Sequence, residues 1–337
     1  MRILYFNGPE HDYMAVMLAE GFNLMMRQGQ LEVRCLNPVE HHLADTKDLP
    51  VFNEEACLLS LDWADIIVFD TAGMFQWMTP GVAGVFNNKV IRRQKMVLVD
   101  GTDTDSWVED PNEFVCYFKR EMRYPGWMFQ PSPLVRSLSF GILDKLGPAD
   151  PTQVQIDYGD EWDRRDIDIS FVAQNTNGLR MQFAGLFATI AEQNPSLNIV
   201  CSVMTGKAPM SSDEYYQILR RSKLAFSAPG VGYDTMRYWE IPACGAVLMS
   251  YDVSYRLQIR DNYERNRHAL FVESFQQALA EATNVLSNKV VWCMMRRAAD
   301  LWSARHTSVY RAQQLIGMAV ESGSFTSGIH RGIERTK

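Results

Sequence analysis

The sequence predicts an α/β protein made of two doubly wound, Rossmann-like domains. Short apolar runs alternate with amphipathic stretches in both halves of the chain, and a proline-rich stretch interrupts this alternation midway. The length of 337 residues also suits two domains of roughly 150 residues each. Both observations favour two parallel sheets, each covered by helices.

The first half opens with an apolar strand, a loop and a helix, which is the start of a parallel α/β unit. That helix ends at Gly29, and a later helix begins at Thr79-Pro80, because proline suits the first turn of a helix. The apolar runs predict strands at residues 2–6, 31–36, 65–70, 96–100 and 115–118, and helices at residues 11–27, 53–61 and 79–93.

Residues 124–165 lose the periodicity and collect prolines, so we interpret them as the connection between domains. The alternation then resumes, and Ser211 with Glu214 forms the capping box of a helix. Strands are predicted at residues 167–173, 197–203, 224–228, 246–250 and 270–272, and helices at 178–193, from 211, at 274–286 and at 289–317. The predicted domains are residues 1–135 and 166–317, with a connection at 136–165 and a polar tail at 318–337.

Composition and charge favour an ordinary globular protein over a nucleic-acid-binding one. Hydrophobic residues make up 47% of the chain, charged residues 22%, and the net charge is −7. A nucleic-acid acceptor is therefore not favoured, although a local basic groove is not excluded. The N-terminus begins with a strand pattern, no apolar run reaches the ~18 residues of a membrane span, and the six cysteines are scattered singly. We expect a soluble cytoplasmic monomer or dimer, without a metal site.

Residues 224–250 have the pattern of a ligand-binding corner. An apolar strand is followed by the loop Gly230-Val231-Gly232, a short helix with Arg237 and Glu240, a glycine stop at Gly245, and a second apolar strand. Unsatisfied N–H groups and the positive dipole end of a helix favour an anion at such a corner. Ligands of doubly wound sheets bind beyond the carboxyl ends of the strands, where the other candidate residues also lie.

Several motifs resemble the C-terminal domain of GT-B glycosyltransferases, and most closely the group typified by the spore-maturation protein CgeB. They are DIDISFVA from residue 166, YYQILRRSKLAFSAP from residue 215, Arg237 with EIPACG from residue 240, ALFV from residue 269, and His306-Thr307 followed by Arg311. The resemblance spans residues 166–316. It implies GT-B architecture, with two domains facing each other across a cleft. It also implies a nucleotide-sugar donor in the second domain, an acceptor in the first, and transfer without a metal or cofactor.

The resemblance makes Glu240 the clamp of the donor's ribose diol, and a carboxylate suits this role because its two oxygens accept two hydroxyl protons. Arg237 and Arg180 are expected to bind the diphosphate, whose negative charge grows as the glycosidic bond breaks. A UDP-sugar is the expected donor. The full predicted donor site is Arg180, Lys207, Gly230, Gly232, Tyr233, Asp234, Thr235, Arg237 and Glu240. The alternative is structural: Glu240 pairs with Arg237, Arg180 and Lys207 are solvated, and the glycines form a tight turn.

An acceptor hydroxyl needs a positioned base if the reaction inverts the anomeric centre. The candidates are His11, Asp100 and Asp103, between which the sequence does not choose, and a retaining mechanism would need none of them. Lys119 and Arg120 are candidates for binding an anionic acceptor, or else they form ion pairs with nearby acidic residues. The acceptor is a glycan, a small molecule or another biopolymer. Two other functions stay open: a sugar-nucleotide epimerase of the same fold, and a non-catalytic nucleotide-sugar-binding or assembly protein.

Overall fold

The chain forms two compact units in the computed structural model. The structure describes residues 1–9, 12–71, 76–104, 106–122, 134–146, 156–204, 210–253 and 257–322. Unit 1 comprises Met1–Ser139 together with the C-terminal stretch that begins at Ser308, and unit 2 comprises Phe140–Thr307. Each unit has a parallel sheet and its own apolar core.

Unit 1 contains a six-stranded sheet in the order β2-β1-β3-β4-β5-β6, in which every pair is parallel. Its strands are β1 (Arg2–Phe6), β2 (Glu32–Cys35), β3 (Ile66–Asp70), β4 (Met96–Asp100), β5 (Cys116–Lys119) and β6 (Val135–Ser137). Its helices are α1 (Tyr13–Arg27), α2 (Glu54–Leu58), α3 (Pro80–Phe86), α4 (Lys89–Lys95) and α11 (Ser308–Ser322). β3 and β4 are buried along their whole length, as continuous apolar runs in a parallel sheet require.

Unit 2 contains a five-stranded parallel sheet in the order β11-β10-β9-β7-β8. Its strands are β7 (Ile167–Gln174), β8 (Ile199–Met204), β9 (Ser222–Ser227), β10 (Val247–Tyr251) and β11 (Ala269–Val272). Its helices are α5 (Tyr158–Arg164), α6 (Gly178–Gln193), α7 (Ser212–Arg221), α8 (Met236–Ala243), α9 (Phe275–Leu286) and α10 (Lys289–Ser303). These two sheets confirm the predicted two-domain, Rossmann-like α/β fold.

Some elements differ from the prediction. The helix expected at residues 79–93 is two helices, because the side chain of Asn88 caps α4 by accepting hydrogen bonds from the N–H groups of Val90 and Ile91. The stretch predicted as a connection contains β6 and α5, which are too short to give a clear periodic signal. The helix expected at residues 289–317 is interrupted by a 3-10 turn at Ala304–His306.

The last helix, α11, belongs to unit 1 and not to the second domain in which residues 308–317 were predicted. It packs against α1, and the contact is close at Gly21, where an added Cβ would lie 2.3 Å from the carbonyl oxygen of Ser308. Only glycine fits this crossing without a backbone shift. Helical periodicity predicts a helix but not its partner, so the boundary at residue 317 differs from the observed division at Ser308.

No described helix has the length and apolar character needed to cross a membrane.

Candidate functional site

The sheet of unit 2 reverses its strand order between β7 and β9. β8 lies on one side of β7, whereas β9, β10 and β11 follow on the other side. In an open parallel sheet, the loops that leave the two strands at this switch point separate and form a ligand crevice. These are the loop that leads from β7 to α6 and the glycine-containing loop at residues 228–235.

Arg180 joins the two loops from the first turn of α6. Its guanidinium donates to the carbonyl oxygens of Gln174 at 2.8 Å, Pro229 at 2.9 Å and Ala228 at 3.3 Å. The residue is only 5% exposed and forms no ion pair with a carboxylate in the described part of the chain. Burial, and then the charge of Arg237, lower its pKa to about 10, so Arg180 stays positively charged at neutral pH.

Asn177 and Gly230 complete this junction. Asn177 caps α6 by accepting from the N–H of Arg180, and its amide donates to the carbonyl oxygens of Pro229 and Gly230 at 3.0 and 2.6 Å. A Cβ at Gly230 would lie 2.7 Å from a guanidinium nitrogen of Arg180, so the absence of a side chain at this glycine lets the loop pack closely against Arg180. A cavity of about 260 Å³ opens beside the junction, lined by Asn177, Leu179, Pro229, Gly230, Val231, Gly232, Tyr233 and Tyr251.

Arg237 lies in the first turn of α8 and makes no hydrogen bond or ion pair with any residue that the structure describes. Its Nε is buried without a hydrogen-bond partner. The alternative in which Arg237 pairs with Glu240 is therefore not what the structure has. Arg237 is close enough to Arg180 to lower the pKa of that guanidinium. Two cations that have no carboxylate partner among the described residues thus lie near the switch point, and this arrangement favours an anion.

Glu240, in the second turn of α8, is bound by two neighbouring tyrosines. Its Oε1 accepts from the hydroxyl of Tyr216 at 2.6 Å, and its Oε2 accepts from the hydroxyl of Tyr215 at 2.8 Å. The side chain is buried, with 6% exposure, and has no ion pair within the described ranges. The motif that begins at residue 215 marked these tyrosines as family-like, but the sequence assigned them no role.

The remaining residues of the predicted donor site divide into two groups. Tyr233 and Gly232 line the cavity. Asp234 is instead held inside the protein, where its carboxylate accepts from the N–H of Phe140 at 2.7 Å and from the indole N–H of Trp239 at 2.9 Å. The hydroxyl of Thr235 lies 3.1 Å from that of Ser227 and gives α8 no side-chain cap. Asp234 and Thr235 thus hold the loop in place.

The end of α8 explains how the helix accommodates a proline. Pro242 lacks an N–H, and the helix ends one residue later at Ala243. Gly245 has a φ of +84° and donates to the carbonyl oxygen of Pro242 at 3.0 Å, while Ala246 donates to that of Ile241 at 3.2 Å. This pair of bonds is a Schellman motif, so the predicted glycine stop is confirmed.

In unit 1, Asp100 and Lys119 form a buried ion pair with a distance of 2.9 Å between Oδ2 and Nζ. Asp100 also accepts from the hydroxyl of Tyr117 at 2.6 Å, and from the N–H and hydroxyl of Thr102 at 3.1 and 2.6 Å. Both side chains are at most 1% exposed. This network explains why the strand-end charges are buried, and it leaves neither an exposed ammonium nor an exposed carboxylate for a substrate.

Arg120 and Asp103 form a second ion pair beside the first. Arg120 is buried, donates to the carbonyl oxygen of Gly101 at 2.9 Å, and lies 3.5 Å from Glu121. Asp103 keeps 43% of its side chain exposed. Asp12, absent from the predicted site, caps α1 near this pair, and its Oδ2 would lie 2.8 Å from a Cβ at Gly101. Burial raises the pKa of Asp12. The sequence pattern alone does not indicate this neighbourhood.

Two predicted residues, His11 and Lys207, lie outside the described residues. Within the described ranges, no group of three or more His, Cys, Asp or Glu side chains is arranged to hold a metal ion.

Comparison with known proteins gives one family and several structures. Residues 169–317, somewhat less than half of the chain, match the family described as "Glycosyl transferase-like". No curated protein sequence matches the chain. A solved structure described as "alpha-glucosyltransferase in complex with UDP-glucose and DNA containing an abasic site" is similar over 95% of this chain and 99% of that one, with a TM-score of 0.61 and 12% identity.

The structure of Anabaena Alr3699/HepE in complex with UDP-glucose is also similar, over 95% of this chain and 100% of that one, with a TM-score of 0.51 and 9% identity. At such identities the likeness concerns the fold. Residues 169–317 thus resemble a family described as glycosyl transferase-like, and the likeness of the solved structures shows a shared two-domain α/β fold.

Proposed function

We propose that this protein is a metal-independent glycosyltransferase of the CgeB-like group that transfers a sugar from a nucleotide-sugar donor to an acceptor hydroxyl. A UDP-sugar is the proposed donor. One observation carries the proposal: Arg237 has no partner among the described residues and lies near buried Arg180, at the switch point of a parallel sheet. The two similar structures described with UDP-glucose support the choice of donor.

A diphosphate suits this arrangement because two like charges near each other in a partly buried site repel, and an anion between them removes that cost. Arg237 is assigned the direct contact, since its buried Nε has no hydrogen-bond partner among the described residues. The guanidinium of Arg180 donates its hydrogen bonds to backbone carbonyl oxygens, so Arg180 contributes its charge and holds the two loops together. Charge developing on the leaving diphosphate is then stabilised without a metal ion or other cofactor.

Glu240 is assigned to the ribose. Its two oxygens offer about four acceptor sites, and the tyrosines use two of them. Asp103 is proposed as the base in preference to Asp100, because Asp100 is fully buried and its carboxylate already binds Lys119, Tyr117 and Thr102. His11 stays a candidate base on sequence grounds, as does Lys207 for the donor. Lys119 and Arg120, which the sequence suggested for the acceptor, are buried in ion pairs and are assigned no direct contact with it.

A thermal-shift panel of UDP-, GDP-, TDP- and CMP-sugars tests the donor site, because a ligand at 100 times its Kd stabilises a folded protein by about 2.7 kcal/mol. Arg237→Ala and Glu240→Ala should then each weaken nucleotide binding measured by calorimetry. Arg267→Ala is the control, since Arg267 is 63% exposed and pairs with Glu264 away from the site. A flat panel, or unchanged binding in both site variants, contradicts the proposal.

Incubation with the donor alone separates the alternatives. An epimerase converts the donor without an acceptor, whereas a glycosyltransferase releases the nucleotide only as it transfers or slowly hydrolyses the sugar. Tight nucleotide binding without turnover over a broad panel of acceptors would favour a non-catalytic binding protein.

A further inference from the structure

Glu240 is held by two consecutive residues of one helix, which is an unusual arrangement. Neighbouring side chains on an α-helix point about 100° apart, so they reach one carboxylate only if it lies between them. Tyr215 and Tyr216 meet this condition, with ring centroids 4.9 Å apart at 61° and one hydroxyl on each oxygen of Glu240. α7 therefore supplies a two-point support for a side chain of α8.

These two hydroxyls are the polar contacts that compensate the burial of Glu240. The carboxylate is 6% exposed and has no cation partner among the described residues, so its desolvation must be offset by hydrogen bonds. Burial, and then the charge of Glu240, raise the pKa of Tyr215 well above its usual value, which keeps that hydroxyl protonated and able to donate. The hydroxyl of Tyr215 therefore remains a donor at neutral pH.

The support also determines which acceptor sites of Glu240 stay available. A carboxylate has about four lone-pair sites, and one on each oxygen is taken by a tyrosine. One site per oxygen remains, and two adjacent hydroxyls of a diol need two sites. With both oxygens anchored, the carboxylate cannot rotate about its last bond, so the two remaining sites keep a fixed direction.

We propose that Tyr215 and Tyr216 are positioning residues that orient Glu240 towards the ribose diol of the donor, and that the enzyme distinguishes ribose from deoxyribose through this pair. The inference rests on the proposed function, because it assumes that Glu240 binds the ribose. The tyrosines act through Glu240 and need not contact the nucleotide themselves.

The test compares the affinities of the full chain for UDP and for 2′-deoxy-UDP by calorimetry. Loss of one hydrogen bond to a charged group corresponds to about a tenfold loss of affinity or more, so the wild type should prefer UDP by about tenfold. Tyr215→Phe and Tyr216→Phe should each reduce this ratio, and the double variant should bring it to about threefold or less. Tyr158→Phe, which removes a hydroxyl that donates to Asp300 at 3.0 Å, should keep the wild-type ratio.

The ratio separates positioning from general stability. A variant that is merely less stable loses affinity for both ligands equally and keeps the tenfold preference, and this result would overturn the inference. A preference that is unchanged in all variants also overturns it, while leaving the proposed function intact. A wild type that binds both ligands equally overturns the ribose role of Glu240 and with it the inference, whereas a wild type that binds neither ligand contradicts the proposed function. If the double variant does not fold, as judged by its thermal transition, the two single variants decide.

Discussion

Lys119→Met removes the cation of the buried ion pair in unit 1. The ammonium of Lys119 lies 2.9 Å from Oδ2 of Asp100 and 2.8 Å from the hydroxyl of Thr102, and the side chain is 1% exposed. Burial lowers the pKa of Lys119, and the charge of Asp100 opposes that shift. Methionine fills a similar volume but leaves the carboxylate of Asp100 buried without a cation.

The cost follows from this unpaired charge. Removing one partner of a buried ion pair costs about 3–5 kcal/mol, because the desolvated charge that remains has lost its counterion. Asp100 keeps its hydrogen bonds from Tyr117 and Thr102, which places the expected loss towards the lower end of that range. The double variant Asp100→Asn/Lys119→Met removes both charges, and it should therefore recover part of the lost stability.

Amide hydrogen exchange of β4 and β5 measures this effect locally, which matters because a chain of two units need not unfold in one step. Protection should fall by roughly a hundredfold or more in Lys119→Met. Lys89→Met is the matched control: Lys89 is 71% exposed and pairs with Glu113 at 2.9 Å, and solvent already screens that pair. A change below about tenfold in Lys119→Met, or no recovery in the double variant, would refute the account of Asp100 and Lys119 as a structural pair.

Two further substitutions test other parts of the chain. Gly230→Ala should displace the guanidinium of Arg180 from the carbonyl oxygens that it binds and weaken nucleotide binding by about tenfold, which is the effect of losing one hydrogen bond of a charged group. Gly178→Ala, with open space at its Cβ, should leave the affinity measured by calorimetry unchanged. Asp12→Asn keeps the cap of α1 but removes a carboxyl whose pKa is raised by burial. Because the folded state holds that proton more tightly, wild-type stability falls as pH rises through the raised pKa, so the variant should gain relative to wild type with rising pH in urea titrations. A constant difference between pH 3 and pH 7 would contradict this.

The fold was largely predictable because its signals are local. The strands β3 and β4 are buried and almost entirely apolar, Ser211 and Glu214 mark the start of α7, and Gly245 marks the end of α8. The short elements β6 and α5 were missed, since three or seven residues do not establish a period. The assignment of α11 to unit 1 depends on its contact with Gly21, which is distant in sequence.

The candidate site was predictable in composition more than in arrangement. The sequence by itself determined that Arg237, Glu240 and the glycine loop lie between two buried strands, because a strand, a loop, a short helix and a glycine stop are each encoded by neighbouring residues. Only the tertiary structure decided the partners of these side chains. Arg180 donates to backbone carbonyl oxygens, Glu240 accepts from two tyrosine hydroxyls, and Lys119 forms an ion pair with Asp100. Such partners depend on how strands and helices pack, and packing brings together side chains that no local pattern relates.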